Sequence, residues 1–203
     1  MQTLSGHTGL VNSAVFSQDG RSVLTASCDG TAKIWNASTG DCTQTLLRGH
    51  NGIVSSAVFS QEDADGYADV LTASYDGTAK IWNWFAGRGD CLQTLRGHIG
   101  FVTSAVFSPD DGLVLTASDD KTAKIWNGDG DCIQTLSGTA NYVMFSQDGW
   151  AVLTLLDHTA RIWIASTGEC AQTLSGHTGL LTSAVFARRG AMESWSYGAC
   201  CVL

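Results

Sequence analysis

Short apolar runs of four to six residues, rich in Val, Thr, Ile, Phe and Trp, recur along the chain with Gly, Asp, Asn and Ser between them. Runs of that length and composition predict β-strands, because branched and aromatic side chains fit a pleated surface and a helix would need a longer run with a 3.6-residue period. In the first part of the chain the strands are expected at about 13–17, 22–26, 32–35 and 43–46. Gln18-Asp19-Gly20 and Cys28-Asp29-Gly30, which lie between them, carry the Asp-Gly pair that antiparallel hairpins favour. Val-Leu-Thr at 23–25 and Ala-Lys-Ile-Trp at 32–35 show no clean alternation of apolar and polar residues. Both faces of each small sheet are therefore expected to be covered, which means sheets stacked on sheets.

Four such runs make one unit, and the unit repeats. Gly-His stands at Gly6-His7, Gly49-His50, Gly97-His98 and Gly176-His177, with Gly138-Thr139 where another falls due, giving steps of 43, 48, 41 and 38 residues. Ile-Trp recurs at Trp35, Trp82, Trp126 and Trp163, and Cys-x-Gln-Thr-Leu begins at Cys42, Cys91, Cys132 and Cys170. The units run from about 6–46, 49–95, 97–136 and 138–174, with a partial one at 176–187 and a tail at 191–203 that matches nothing in the repeat.

Gly-His followed by Ser-x-Asp-x-Thr-x-x-Ile-Trp resembles the WD-repeat β-propeller family, the repeats of G-protein β-subunits, over residues 2 to about 187. The Asp that follows Trp in that family is replaced by Asn36, Asn83, Asn127 and Ile164. The resemblance implies an all-β propeller of four-stranded antiparallel blades, about four full blades plus a partial fifth. That family closes its ring with an N-terminal strand, here Gln2–Leu4, added to the last blade, here begun by an inner strand at Ser183–Phe186. The middle strands of that blade would have to come from 193–197 and 199–202, so both a small closed ring and an open arc are compatible with the pattern; the open arc is the expectation.

The resemblance also implies a hydrogen-bonded set in each blade. A buried indole N–H needs an acceptor, since leaving it unpaired costs about 1–3 kcal/mol. The expected acceptor is the Ser hydroxyl, which then donates to an imidazole whose other N–H is held by the turn carboxylate. The sets are His7, Ser27, Asp29 and Trp35; His50, Ser74, Asp76 and Trp82; and His98, Ser118, Asp120 and Trp126. The fourth unit keeps Asp157 and Trp163, with Thr139 for the His, Leu155 for the Ser and a shorter first segment, so its blade is expected to be the loosest. Ser, His and Asp together also spell a catalytic triad. A nucleophile, however, needs an exposed oxygen beside an oxyanion hole, and a buried hydroxyl already engaged by Trp is neither.

Charge and composition narrow the function. Eleven Lys and Arg against 19 Asp and Glu leave −8, the wrong sign for neutralising phosphates, so nucleic acid is not an expected partner. No run approaches the 18 apolar residues of a membrane span, and the first residues lack the basic and apolar pattern of a secretory leader. Seven cysteines then fit a reducing, cytoplasmic setting, and the four in Cys-x-Gln-Thr-Leu are expected as small apolar strand residues. No ligand spacing for zinc is present, and the acidic insertion at 62–69 reads as a solvated hairpin extension rather than a calcium loop, so no metal or cofactor is expected. Cys200-Cys201-Val202-Leu203 matches the prenylation pattern with Cys200 as acceptor, a weak lipid anchor without a polybasic neighbour; an accidental ending is the alternative.

In the family, the loops from outer to inner strand and the second-to-third-strand turns line the wider binding face. They place Leu10, Ile53, Phe101 and Leu180 at one offset, with Asn12, Ser55 and Thr103 beside them and Cys28, Tyr75 and Asp119 in the turns. The expected function is a non-catalytic scaffold that holds a protein or peptide partner on this face, with self-association through open blade edges. The alternative is the sensor end of a larger signalling enzyme of the kinase or NTPase type, whose catalytic part would lie outside these residues, since no phosphate-loop or kinase motif is present in them.

Overall fold

The computed structural model describes residues 2–46, 49–62, 68–84, 89–138 and 142–186, and the backbone of 201–202. Four antiparallel four-stranded sheets follow one another along the chain. The first blade is β1 (Val11–Phe16), β2 (Ser22–Ser27), β3 (Ala32–Asn36) and β4 (Cys42–Leu46). The second is β5 (Val54–Phe59), β6 (Asp69–Ser74), β7 (Thr78–Asn83) and β8 (Cys91–Arg96), and the third β9 (Val102–Phe107), β10 (Leu113–Ser118), β11 (Thr122–Asn127) and β12 (Cys132–Ser137). The fourth is β13 (Tyr142–Phe145), β14 (Ala151–Leu156), β15 (Thr159–Ile164) and β16 (Cys170–Leu174). In each blade the strands pair in chain order, as hairpins with short turns must. Among the described residues there is no helix, and so none long and apolar enough to cross a membrane.

Stacking of blade on blade makes the core. Leu24, Ala26, Ile34 and Leu46 of the first blade bury Val54, Ala57, Val70 and Trp82 of the second. The same layers meet between the second and third blades (Leu71, Ala73 and Leu95 with Val102, Ala105 and Trp126) and between the third and fourth (Leu115, Ile125 and Leu136 with Val143, Val152 and Trp163). Second strands are therefore buried almost end to end, which is why Val-Leu-Thr-Ala-Ser shows no alternation in the sequence. A β-bulge stands beside each Trp, between Ile34 and Trp35, Ile81 and Trp82, Ile125 and Trp126, and Ile162 and Trp163, and Trp82, Trp126 and Trp163 pack on the preceding sheet.

Three expectations need correction. Gln2–Leu4 forms no strand; it lies against the first blade's last turn, where Gln2 Nε2 donates to the Ser38 carbonyl at 3.0 Å. The inner strand expected at Ser183–Phe186 shrinks to β17 (Val185–Phe186), paired with β18 (Cys201–Val202), while Leu181, Ala184 and Phe186 cover the fourth blade. The four cysteines of Cys-x-Gln-Thr-Leu are exposed, because each begins an outer strand at the rim. Thr139, most of the 62–69 insertion, the segment 193–197 and Cys200 lie outside the described residues.

Leu115 is fully buried between the third and fourth blades. Its replacement by Ala is expected to cost about 2–5 kcal/mol in urea unfolding. Leu92→Ala, on a side chain 55% exposed at an outer strand, is expected to change stability by no more than about 0.5 kcal/mol.

Candidate functional site

Each of the first three blades holds a buried polar relay. Trp35 Nε1 donates to Thr25 Oγ1 at 2.8 Å, and His7 Nε2 lies 2.7 Å from the same hydroxyl. His7 Nδ1 donates to Asp29 Oδ2 at 2.8 Å. The second blade repeats this with Trp82, Thr72, His50 and Asp76 at 2.7, 2.8 and 3.0 Å, and the third with Trp126, Thr116, His98 and Asp120 at 2.8, 2.8 and 2.9 Å. A carboxylate only accepts, so the imidazole proton sits on Nδ1, and in the neutral ring Nε2 is then the acceptor for the Thr hydroxyl. Each imidazole also meets its indole edge-on, with centroids 5.8 to 6.2 Å apart.

The acceptor is therefore Thr, two residues before the Ser assigned from the sequence. Register explains the correction. Trp35 pairs with Val23, so its same-face neighbours on β2 are Thr25 and then Ser27. At about 3.3 Å per residue these lie about 7 and 13 Å along the strand from Val23, and the indole spans the first distance only. Ser27, Ser74 and Ser118 instead accept the backbone N–H of Asp29, Asp76 and Asp120 at 3.1 Å each, holding the turn that carries the carboxylate. That carboxylate has four donors: Asp29 accepts from His7, from Thr31 through both N–H and O–H, and from the Thr8 N–H. A signal for Thr was present, since the fourth unit loses His and Ser but keeps Thr154, and Trp163 Nε1 donates to it at 2.8 Å.

The fourth blade shows what happens without the imidazole. Its second hairpin turns in two residues, Asp157 and His158, both exposed, with Asp157 at φ +48°. The position equivalent to Ser is accordingly Leu156 rather than Leu155, as the pairing of Leu156 with Thr159 requires. Trp163 is 7% exposed against 1–2% for Trp35, Trp82 and Trp126.

Electrostatics follow from the relay. Burial lowers the pKa of His50 and of His98 and outweighs the opposing pull of Asp76 and Asp120. Burial works the other way on the carboxylates, yet bonds from Thr78, Asn51 and His50 hold Asp76 at about 2, and those from Thr122, His98 and Ile99 hold Asp120 at about 2. Asp29, held by Thr31, Thr8 and His7, is lowered as well.

Above this relay the loops and turns form one end of the blades. Backbone bonds tie each turn to its own loop: Cys28 N to Leu10 O at 2.8 Å, Tyr75 N to Ile53 O at 2.9 Å, and Asp119 N to Phe101 O at 3.1 Å. Leu10 is 78%, Leu180 71% and Phe101 50% exposed, while Ile53 and Cys28 are half-buried and Asp119 is exposed. Tyr75, from the second blade's turn, stacks on Phe101, from the loop into the third, with centroids 4.8 Å apart and planes 13° off parallel. Asn12, Ser55 and Thr103, counted with this face in the sequence, spend their side chains elsewhere. Asn12 donates to Val54 O and Ser55 to Val102 O, bridging neighbouring blades, and Thr103 donates to Ala117 O. One exposed residue was missed: Ile99, 96% exposed, whose only sequence mark is an apolar side chain where the other units carry Thr8, Asn51 and Thr178.

Family comparison agrees with this geometry. The WD domain, G-beta repeat family matches residues 1–36, 40–83 and 89–127, together more than half of the chain. The chain belongs to the WD40 repeat family. It is also similar to the WD repeat-containing protein 89 homolog of Dictyostelium discoideum, 39% identical over 46 residues, a stretch that spans 23% of this chain and 13% of that protein. WD40 repeats mark a scaffold for protein interaction, and the family is generally non-catalytic. The matched residues include all three complete relays, whereas the fourth blade lies beyond them.

Thr116→Val removes the acceptor of a buried indole and the donor to His98, and a loss of about 1–3 kcal/mol in urea unfolding is expected, with Thr116→Ser recovering much of it. The same change at Thr154, where no His is joined, should cost less. Acid should weaken the fold in two windows. His50 and His98 bind protons less readily folded than unfolded, so stability is expected to fall as pH drops below 6.5; Asp76 and Asp120 add a second loss from pH 3.8 toward about 2. Urea midpoints measured from pH 8 downward check both.

Proposed function

We propose that this chain is a non-catalytic scaffold that holds a peptide or protein on the end built by its outer-to-inner loops and second-to-third-strand turns. The observation that carries the reading is the stacked, solvent-facing pair Tyr75 and Phe101, flanked by Ile99 on the same loop and by Asp119 in the next turn. Aromatic side chains bring large contact area at low entropic cost, and an apolar cluster with a polar rim is the usual make-up of a protein contact. Asp119 offers that rim a carboxylate, which suits a partner segment with a basic residue beside an apolar anchor. A non-catalytic role is supported by the chemistry of the relay: its hydroxyl, imidazole and carboxylate are committed to one another and to the indole, out of reach of a substrate. A cytoplasmic setting belongs to the same proposal and is supported by free thiols standing exposed at the blade rims.

Peptides selected from a displayed library on the wild-type chain are expected to lose at least tenfold in affinity for Phe101→Asp and for Ile99→Asp, with unchanged circular dichroism, because both side chains are exposed. Selected peptides that bind both variants as they bind the wild type would place the recognition face elsewhere.

A further inference from the structure

Three internal junctions show what covers a blade in this chain. At the first two the inner strand of the following blade lays a Val and an Ala on the preceding sheet, Val54 with Ala57 and Val102 with Ala105, all four at most 1% exposed, and at the third it lays Val143 and Phe145. The next blade's second and third strands join them with Val70 and Trp82, or with Val114 and Trp126. On the first blade Val23 and Trp35 are buried, but the inner strand stands in solvent. Val11 is 53% and Phe16 68% exposed, and Ala14 is exposed too.

The far face of the fourth blade is occupied by Leu181, Ala184 and Phe186, which pack on Leu153, Leu155, Ala160 and Ile162. These three are the counterparts of Val11, Ala14 and Phe16. Residues 2–16 and 172–186 both read Gln-Thr-Leu-Ser-Gly-His-Thr-Gly-Leu-x-x-Ser-Ala-Val-Phe, and they differ only as Val11 against Leu181 and Asn12 against Thr182. One stretch stands uncovered, and its near-copy sits in a seat made for it.

A second observation shows how the open side is prepared. Gln93 donates to the Gly128 carbonyl and Gln134 to the Ser166 carbonyl, each reaching from an outer strand to the last turn of the next blade. Gln2 donates to Ser38 O in the same manner, and the Gly40 backbone lies against Gln2 and Thr3 as that of Gly168 lies against Gln134. Residues 2–4 thus keep, against the first blade, the place of a preceding blade's outer strand, although among the described residues no sheet stands behind them.

We propose that the open side of the first blade is the docking surface for the fourth blade of a second copy of this chain, with residues 2–16 of one copy replacing residues 172–186 of the other. The exchange substitutes one sequence for its near-copy, so the seat accepts it unchanged. It also gains contact. Residues 5–16 continue into a complete four-stranded sheet, whereas among the described residues β17 pairs with the two residues of β18. Made reciprocally between two copies, the contact closes a two-fold ring of eight blades, within the size range of propellers, and leaves no blade face uncovered.

Sedimentation velocity of the full chain, over a dilution series from micromolar concentrations, is expected to show a species of twice 21.4 kDa that dissociates on dilution. Ala14→Asp should abolish it without altering circular dichroism, since Ala14 is exposed in the single chain. A synthetic peptide of residues 2–16 in excess should dissociate the dimer, and the same peptide carrying Ala14→Asp should not. A chain that sediments as a monomer throughout, or a dimer untouched by both Ala14→Asp and the peptide, would overturn the proposal.

Discussion

A buried indole nitrogen has to find an oxygen, and the rest of each blade is arranged around that need. Trp35, Trp82, Trp126 and Trp163 are all buried, the last three in the seams between sheets, where the ring adds much apolar area but the N–H would be orphaned. A threonine one rung away on the neighbouring strand accepts it in every blade. In the first three blades the hydroxyl donates to an imidazole, and the imidazole donates to a carboxylate that accepts from three further donors in its turn and in the entering loop. The relay therefore ties four separate pieces of one blade together: the loop that enters it, the second strand, the turn after that strand, and the third strand.

Such an arrangement rewards small residues where the chain must pass close to the ring. The glycines Gly6, Gly49 and Gly97 lie over the indole edges, and a methyl at Gly49 would overlap Trp82. Gly6 and Gly97 also take backbone angles of +149° and +154°, which other residues rarely adopt. The fourth blade relaxes these demands together. Its hairpin is a residue shorter, no imidazole reaches Thr154, and Trp163 keeps its hydrogen bond while showing more of itself to solvent.

Because the polar groups of the relay satisfy one another, the loop end offers solvent a group of large apolar side chains among polar ones. Leu10, Ile99, Phe101 and Tyr75 stand out from a backbone that is pinned turn to loop, which presents them at little further entropic cost. Asn12 and Ser55, on the same end, serve the stacking by bonding to the next blade's inner strand, so that cohesion between blades and display of the loops draw on adjacent residues.

Composition and spacing made the strands, their grouping in fours, the repeat and the stacking legible from the chain alone, since those follow from local turn chemistry and from the distribution of apolar residues. The His and Asp of each relay were legible as well, through a resemblance in their spacing. Spacing could not distinguish Thr25 from Ser27 as the partner of Trp35, because both lie on the same face of β2 and only the register with β3 says which one the indole reaches. Among the loop residues, only exposure separates Phe101, and Ile99 which the spacing did not single out, from Ser55 and Thr103, whose hydroxyls turn to backbone carbonyls. Local chemistry along the chain thus determined the blade, while hydrogen-bond partners and exposed faces were decided when strands far apart in sequence came within a few ångströms of each other, a distance that no one-dimensional pattern contains.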